Sequence, residues 1–561
     1  MGDETIQLDE KGKPIIIEEL CAGCGICVHK CPFDAIRIVN LAEELTHDLV
    51  HQFGQNGFRL YRLPVPRKGS VTGILGENGI GKTTAISILT NNLIPNFGKW
   101  EKELERNKVI DQFSGTELKD YFEKLYSGKI RTALKPQYVD KIPRVNKGSA
   151  MELLLKIAGA EKIKSIASQF DFTTEHLNRD IATFSGGELQ RLAIMGTMLK
   201  DADAYFFDEP SSYLDIYQRI KMAGLIKDLA NERIVVVVEH DLAILDYLAE
   251  NVHLMYGTEG AYGVVVPPKV VRNAINTYLE GYLKEENIRV REYPIEFFSH
   301  PPQEGVTREE VLVFEPLKKR YAGFTLCTMG GRIMKGEVIG MLGANATGKT
   351  TFVKMLAGVE KPDEGVITRN VKVSYKPQYI NPEKDYTVRQ IFAEKLKDIM
   401  FTNFYKEEIE HPLKISSLYD KNLEELSGGE LQRVAIALCI AQPADLYLLD
   451  EPSAYLDSNQ RMIAAKTIKR VIEKMGMTGM VVDHDIYFID LVADRLIVFD
   501  GVPGVSGETS EILSMHDGMN TFLKRVNITF RRDENTKRPR VNKPGSAKDR
   551  EQKDAGEYYY E

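Results

Sequence analysis

GENGIGKTT at residues 76–84 and its echo GANATGKTT at 343–351 decide how this chain folds. Each follows an apolar run of β type, SVTGIL ending at Leu75 and EVIGML ending at Leu342, and each opens a helical stretch. A strand, a turn of the form G-x-x-x-x-G-K-T and a helix make an anion cradle, because glycines let backbone N–H groups face a phosphate at the positive end of the helix. In the first copy Gly76, Asn78, Gly79 and Gly81 are the loop candidates, with Lys82 for the β and γ oxygens, Thr83 for a magnesium ion and Thr84 beside it. Gly343, Asn345, Gly348, Lys349, Thr350 and Thr351 repeat the set. Ala346 stands where the first loop has Gly79, which keeps the spacing and predicts a stiffer loop.

Laid on itself, the chain shows a duplication: FSGGELQRLAI (184–194) recurs as LSGGELQRVAI (426–436), and YFFDEPSSYLD (205–215) as YLLDEPSAYLD (447–457). The offset is 242 at Ser185/Ser427 and at Glu209/Glu451, but 267 at Lys82/Lys349, so the first copy carries an insertion ahead of KPQYVD. Within it, SGTELKDYFEKLYSG places Leu118, Tyr121, Phe122 and Leu125 at helical spacing before Gly128, predicting a helix-loop-helix near 114–132. AYFFDE and LYLLDE are apolar strands ending in two carboxylates, suited to hold magnesium (Asp208, Asp450) and to activate a water (Glu209, Glu451). His240 and His484 follow later strands at matching distances and are candidates to sense a γ-phosphate.

At 561 residues the chain is too long for one core, and 43% hydrophobic with 27% charged residues is a globular composition. No apolar run long enough for a membrane span occurs, and MGDETIQLDEKGK lacks the apolar core of a signal peptide, so a soluble, cytoplasmic protein is expected. The net charge of −8 argues against coating nucleic acid with the whole surface. The C-terminus is segregated: from Arg525 to Arg550 nine Lys/Arg face three acids, a run expected to meet RNA phosphates. Four of six cysteines crowd into CAGCGICVHKCP (21–32), a metal-site distribution. Cys21, Cys24, Cys27 and Cys31 fit the ferredoxin run C-x2-C-x2-C-x3-C-P, whose fourth cysteine usually serves a second cluster; zinc is the alternative metal.

The whole set resembles the ATP-binding-cassette superfamily, whose LSGGQ signature appears as FSGGE (184–188) and LSGGE (426–430), each departing at its last residue. That resemblance implies cassettes paired head to tail within a monomer. Lys82, Thr83, Gln137, Asp208, Glu209 and His240 then share one ATP with Ser427 and Gly429. Lys349, Thr350, Gln378, Asp450, Glu451 and His484 share the other with Ser185 and Gly187, and the two glutamines join the magnesium ligands. Phe53 and Phe58, and Tyr321 and Phe324, are candidates for adenine stacking, Phe58 and Tyr321 foremost. With the cysteine motif, and with LYRLPVP (60–66), MYGTEGAYGVV (255–265), ITFRRD (528–533) and RPRVNK (538–543), the chain resembles cassette subfamily E, the ribosome-recycling ATPases, and its archaeal members in particular.

The resemblance implies an α/β fold: two P-loop cassettes in tandem with a small ferredoxin-like α+β N-terminal domain. The expected boundaries are 1–40 for the cluster domain, 41–255 for the first cassette, 256–305 for a hinge, 306–510 for the second cassette and 511–561 for a basic C-terminal hinge segment. It implies ATP, Mg2+ and a [4Fe–4S] cluster as ligands. The ribosome is the expected partner, chiefly the small subunit and its RNA, together with release-factor-like proteins and translation initiation factors. The family carries two clusters, and the cysteine-rich segment upstream is not in this sequence, so one cluster or an incomplete one is expected. Two rival functions are a transporter's ATPase subunit, which would co-purify with membranes, and a nucleotide-gated redox protein, whose cluster would be reducible with coupled ATP turnover. A chromosome-type ATPase would need a long coiled coil, and only 103 residues separate Lys82 from Ser185.

Overall fold

Val71–Leu75 and Ala204–Asp208 are mostly apolar and buried at every position, as parallel strands covered on both faces must be. They belong to a nine-stranded sheet in a computed structural model that describes residues 5–8, 14–16, 26–30, 40–102, 104–291, 294–297, 309–368, 371–378 and 386–560. Strand Val71–Leu75 is parallel to Ile234–Val238, which is parallel to Ala204–Asp208, which is parallel to Thr132–Lys135. On its other side Val71–Leu75 pairs with Asn251–Thr258. An antiparallel margin of Tyr262–Val265, Arg59–Tyr61 and Leu49–Gln52 follows. The second half repeats this order: Val338–Leu342 stands at the centre, with Thr478–Val482, Leu446–Asp450 and Val373–Lys376 on one side and Arg495–Asp500 on the other.

The first sheet does not stop at the expected boundary of 255. MYGTEGAYGVV is the hairpin between Asn251–Thr258 and Tyr262–Val265, and Lys269–Val270 also pairs with the sheet, so the connection to the second half begins with the helix Val271–Glu280. The insertion consists of two helices, Arg106–Gln112 and Glu117–Tyr126. The second buries Leu118, Tyr121, Phe122 and Leu125 and ends before Gly128, whose φ of 74° is left-handed.

The C-terminal segment, expected as a basic hinge segment over 511–561, is folded. Phe530–Arg532 pairs with Pro539–Val541 and Tyr559–Tyr560, and the helices Met515–Val526 and Ala547–Ala555 flank this small sheet. Arg538 is fully buried, donating to Asp246 of the first half (3.0 Å), to Asn276 of the linking helix (2.9 Å) and to the hydroxyl of Tyr487 in the second half. Arg532 reaches Asp490 (2.7 Å), and Arg540 reaches Asp246 (3.3 Å) and Asp533 (3.7 Å). These arginines bind the two halves to the linker and do not face solvent phosphates; Lys537, Lys543, Lys548 and Arg550 remain exposed. One apolar core runs through both halves and the linker, with Tyr217 against Phe522 and Phe297 against Tyr487. No helix among the described residues is long and apolar enough to cross a membrane.

Candidate nucleotide sites between the two halves

Gly81, at φ 89°, starts the helix Lys82–Leu89, and Gly348, at φ 96°, starts Lys349–Ala357. A side chain at Gly81 would be strained and would also meet the Phe58 ring at 2.6 Å, so glycine is required twice over. Lys82 is buried, and its Nζ donates to the carbonyls of Gly76 (3.0 Å) and Glu77 (2.5 Å); Lys349 does the same to Gly343 (3.0 Å) and Ala344 (2.6 Å). Burial lowers both ammonium pKa values, that of Lys349 to about 8, because desolvation outweighs the nearby carboxylates. Ala346 adopts φ 58°, the left-handed region that Gly79 (φ 73°) occupies in the first loop. Gly260 and Gly504 make the equivalent backbone bonds to these two residues. Glu259 precedes the first and would lie 2.5 Å from a Cβ at position 79, while Pro503 precedes the second.

The carboxylates stand at the ends of their strands. Asp208 accepts from Thr83 Oγ1 at 2.9 Å, and burial followed by the neighbouring Glu209 pushes its pKa up to about 6. Asp450 is buried and shifted upward for the same first reason. Glu209 and Glu451 occupy left-handed backbone at φ 48° and 46°, conformations that cost a non-glycine residue about 1–2 kcal/mol. Three contacts hold each glutamate there. Glu209 N donates to Val238 O (2.9 Å), and its carbonyl accepts from Lys135 Nζ (3.2 Å) and Gln190 Nε2 (2.7 Å); Val482, Lys376 and Gln432 do the same for Glu451. Its side chain accepts from Gln137 Nε2 at 2.5 Å, as that of Glu451 accepts from Gln378 at 2.8 Å, and His240 and His484 each approach the same oxygen at 3.6 Å. Burial raises the Glu451 pKa, but the bonds from His484 and Gln378 and the charge of Lys349 outweigh it and hold the carboxyl at about 2. Burial lowers the His240 pKa well below the usual imidazole value.

The halves meet head to tail. Asp215 caps the helix Ile216–Leu229 through Gln218 N (2.9 Å), and its other oxygen takes Asn345 N of the opposite loop at 2.8 Å. Asp457 does the same for Gln460 N (2.8 Å) and Asn78 N (3.1 Å). Ser185 and Ser427 cap the signature helices Gly186–Leu199 and Gly428–Ala441, in capping boxes completed by Glu188 and Glu430. This gives a local reason for glutamate where the family signature has glutamine. The tyrosines Tyr213 and Tyr455 meet edge to face, 6.4 Å between centroids, where the halves touch.

A shared cleft of about 1180 Å³ is lined by Lys82, Thr83, Thr84, Gln137, Ser185, Gly187, Asp208, Glu209 and His240 together with Lys349, Thr350, Thr351, Gln378, Ser427, Gly429, Glu451 and His484. Asn78, Gly79, Gly81, Asn345 and Gly348 line it as well; Gly76 and Gly343 sit behind as acceptors for the lysines, and Asp450 lies beneath the surface. Phe53, Phe58 and Phe324 line the cleft. Tyr321 stands off it, 43% exposed, with its hydroxyl bonded to Glu360 and its ring beside that of Phe324. Phe324 is the counterpart of Phe58, since each packs on the last glycine of its loop.

Lys135, Lys376, Gln190, Gln432, Asp215 and Asp457 were not among the residues expected from the sequence. Their signal was the repeat itself, which carries KPQ, LQR and YLD twice in register. Cys21, Cys24 and Cys31 lie outside the described residues, and Cys27 sits on the helix Ile26–Lys30. Four thiols at ferredoxin spacing are the donor chemistry of an iron–sulfur cluster, and the hydroxyl of Thr83 with the destabilised carboxylate of Asp208 is the donor chemistry of Mg2+.

Two phosphate loops facing two signature helices across one cleft define an ABC-type ATPase with both cassettes in a single chain. The family model described as ABC transporter matches residues 66–212 and 327–454, and the one described as 4Fe-4S binding domain matches 14–37. The chain is 51% identical, over all of its length and 93% of the relative's, to an uncharacterized ABC transporter ATP-binding protein of Methanocaldococcus jannaschii. It is 44% identical to the translation initiation factor RLI1 of Saccharomyces cerevisiae, covering all of this chain and 93% of that one. The structure of an archaeal ribosome recycling factor, aABCE1, in complex with the ribosomal stalk protein aP1 aligns with a TM-score of 0.88 at 50% identity, over 92% of this chain and 100% of that one. The chain belongs to the E family of ATP-binding-cassette proteins. It is an ATP hydrolase of the ABC type, for which ATP and Mg2+ are the implied ligands, with a 4Fe-4S cluster implied by its N-terminal segment.

Proposed function

We propose that this ATPase acts in the cytoplasm on ribosomes, splitting them into subunits as its cassettes close on ATP, and stays on the small subunit. The observation that carries the reading is the head-to-tail pairing through Asp215 and Asp457, which makes closure of either site a movement of one cassette against the other. The described relatives, a ribosome recycling factor and a translation initiation factor, set the substrate of that movement, and release-factor-like proteins and initiation factors are its partners.

In the site of Lys82, the ammonium leaves the Gly76 and Glu77 carbonyls for the β and γ oxygens of ATP, and the helix N-terminus at Ser427 and Gly429 closes on the γ-phosphate. Thr83, Asp208 and Gln137 would hold the Mg2+, which would neutralise charge on the transferring phosphoryl group. Glu209, held in its strained backbone by Lys135 and Gln190, orients the attacking water and takes its proton, while His240, neutral by burial, faces the γ-phosphate. Lys349, Thr350, Gln378, Asp450, Glu451 and His484 do the same against Ser185 and Gly187. Phe58 and Phe324 stack the adenines, with Tyr321 bracing Phe324. In the N-terminal segment Cys21, Cys24 and Cys27 would hold a [4Fe–4S] cluster, with Cys31 or a further ligand completing it.

Sucrose-gradient sedimentation of cognate ribosomes tests the reading. With ATP the protein should shift ribosomes to subunits, and with a non-hydrolysable analogue, or as Glu209→Gln/Glu451→Gln, it should sediment with small subunits. Failure to sediment with any ribosomal particle while hydrolysing ATP would refute it.

A further inference from the structure

The two phosphate loops differ at their second residue, Glu77 in the first and Ala344 in the second. The Glu77 side chain crosses to the other cassette, where Oε1 accepts from Asn459 Nδ2 at 2.6 Å. Asn459 is buried, and its Oδ1 accepts from Arg291 Nε at 2.8 Å. Arg291 belongs to the linker: its Nη1 donates to the carbonyls of Tyr278 (2.9 Å) and Leu279 (3.2 Å) at the end of the helix Val271–Glu280, and its guanidinium lies 5.1 Å over the Tyr278 ring. An unbroken path of side-chain hydrogen bonds therefore runs from the loop around Lys82, through the second cassette, to the linker. Beside it, Ser458 donates to the carbonyl of His240 at 2.6 Å. A cavity of about 50 Å³ lies against the path, lined by Glu77, Ile80, Gly257, Tyr278 and Arg291, which leaves the Glu77 side chain room to move.

Among the described residues the other site has no such path. The Ala344 side chain offers no acceptor, and the residues matching Ser458 and Asn459 in the first cassette are Ile216 and Tyr217, the latter packed on Phe522. Among the described residues, the bond from Asn345 N to Asp215 is what this second loop shares with the opposite cassette's helix.

We infer that Glu77, Asn459 and Arg291 are positioning residues that tie closure of the Lys82 site, and not of the Lys349 site, to the position of the interdomain linker. The inference rests on the composite sites proposed above. It makes ATP capture at the Lys82 site responsive to anything that displaces the linker, while the Lys349 site binds independently of it.

The test measures steady-state ATPase in the full-length protein with one site silenced. In Glu451→Gln, which reports the Lys82 site, adding Glu77→Ala should raise KM for ATP about tenfold with kcat nearly unchanged, the loss expected for a hydrogen bond to a charged group. Asn459→Ala and Arg291→Ala should act in the same direction, and Glu77→Ala/Asn459→Ala should be no worse than the larger single effect. Glu77→Gln keeps the acceptor and should restore KM to within about twofold of the Glu451→Gln parent. In Glu209→Gln, which reports the Lys349 site, none of these changes should move KM. Equal effects at both sites, or no effect at the Lys82 site, would overturn the relay. If instead Glu209→Gln and Glu451→Gln together leave turnover intact, the composite-site reading fails and not the relay.

Discussion

Replacing Arg538 by methionine removes a guanidinium that is fully buried and bonded at once to Asp246, Asn276 and Tyr487, residues of the first cassette, the linker and the second cassette. Methionine nearly fills the volume, so the loss is electrostatic: a buried carboxylate at Asp246 and a buried amide oxygen at Asn276 each lose a donor. Breaking a buried ion pair from one side costs about 3–5 kcal/mol, and Arg540 remains 3.3 Å from Asp246, which sets the low end of about 3 kcal/mol. At about 2–4 °C per kcal/mol for domains of this size, Tm should fall by about 6–12 °C. Scanning calorimetry on Arg538→Met reads this directly. Arg538→Met/Asp246→Leu removes both charges and should regain at least half the loss. A fall corresponding to less than about 1 kcal/mol, or a double variant as unstable as the sum of the singles, would refute the view that this buried pair fastens the halves to the linker.

Because Asp208 is pushed up to about 6, it binds a proton that Mg2+ must displace, so Mg2+-dependent ATP affinity at the Lys82 site should weaken about tenfold per pH unit below 6, read by fluorescent-nucleotide titration in Glu451→Gln. Lys349 sits near 8 before nucleotide arrives, so nucleotide binding at its site should weaken above pH 8, as the neutral amine no longer attracts phosphate. For Glu451 the folded value of about 2 lies below its ordinary 4.5, so its stabilising contribution is present above pH 4.5 and disappears as pH falls toward 2; in Glu451→Gln the acid-unfolding midpoint should move upward by urea titration across that window. Lys135→Met should lower kcat of the Lys82 site about 10–100-fold at unchanged KM, since it frees the Glu209 carbonyl without touching the phosphate loop.

The two phosphate loops, the signatures and the paired carboxylates were legible because each is a local pattern repeated in register, and a backbone that needs left-handed glycines or a strand-end acid shows it within ten residues. What escaped depends on partners distant in sequence. Lys135 and Gln190 act on the carbonyl of Glu209, and Asp457 acts on a loop 379 residues away. The C-terminal arginines show the same blindness from the other side: counted locally they form a basic excess, but Asp246 and Asp490, which neutralise Arg538 and Arg532, lie in other elements. Tyr321 and Phe324 look equivalent as aromatics of one hairpin, and only the packing on Gly348 separates them. The boundary expected at 255 fell inside a strand because its Thr-Glu-Gly turn reads equally well as a linker or as a hairpin loop.

The central claim is that each ATP site takes its catalytic groups from one cassette and its closing helix from the other. Single-turnover hydrolysis in Glu451→Gln, with and without Ser427→Arg, tests it most directly, because Ser427 lies in the second cassette and the surviving turnover belongs to Glu209 in the first. The account predicts that Ser427→Arg abolishes this turnover while Ser185→Arg leaves it in place; survival of hydrolysis in Ser427→Arg, or its loss in Ser185→Arg alone, would contradict it.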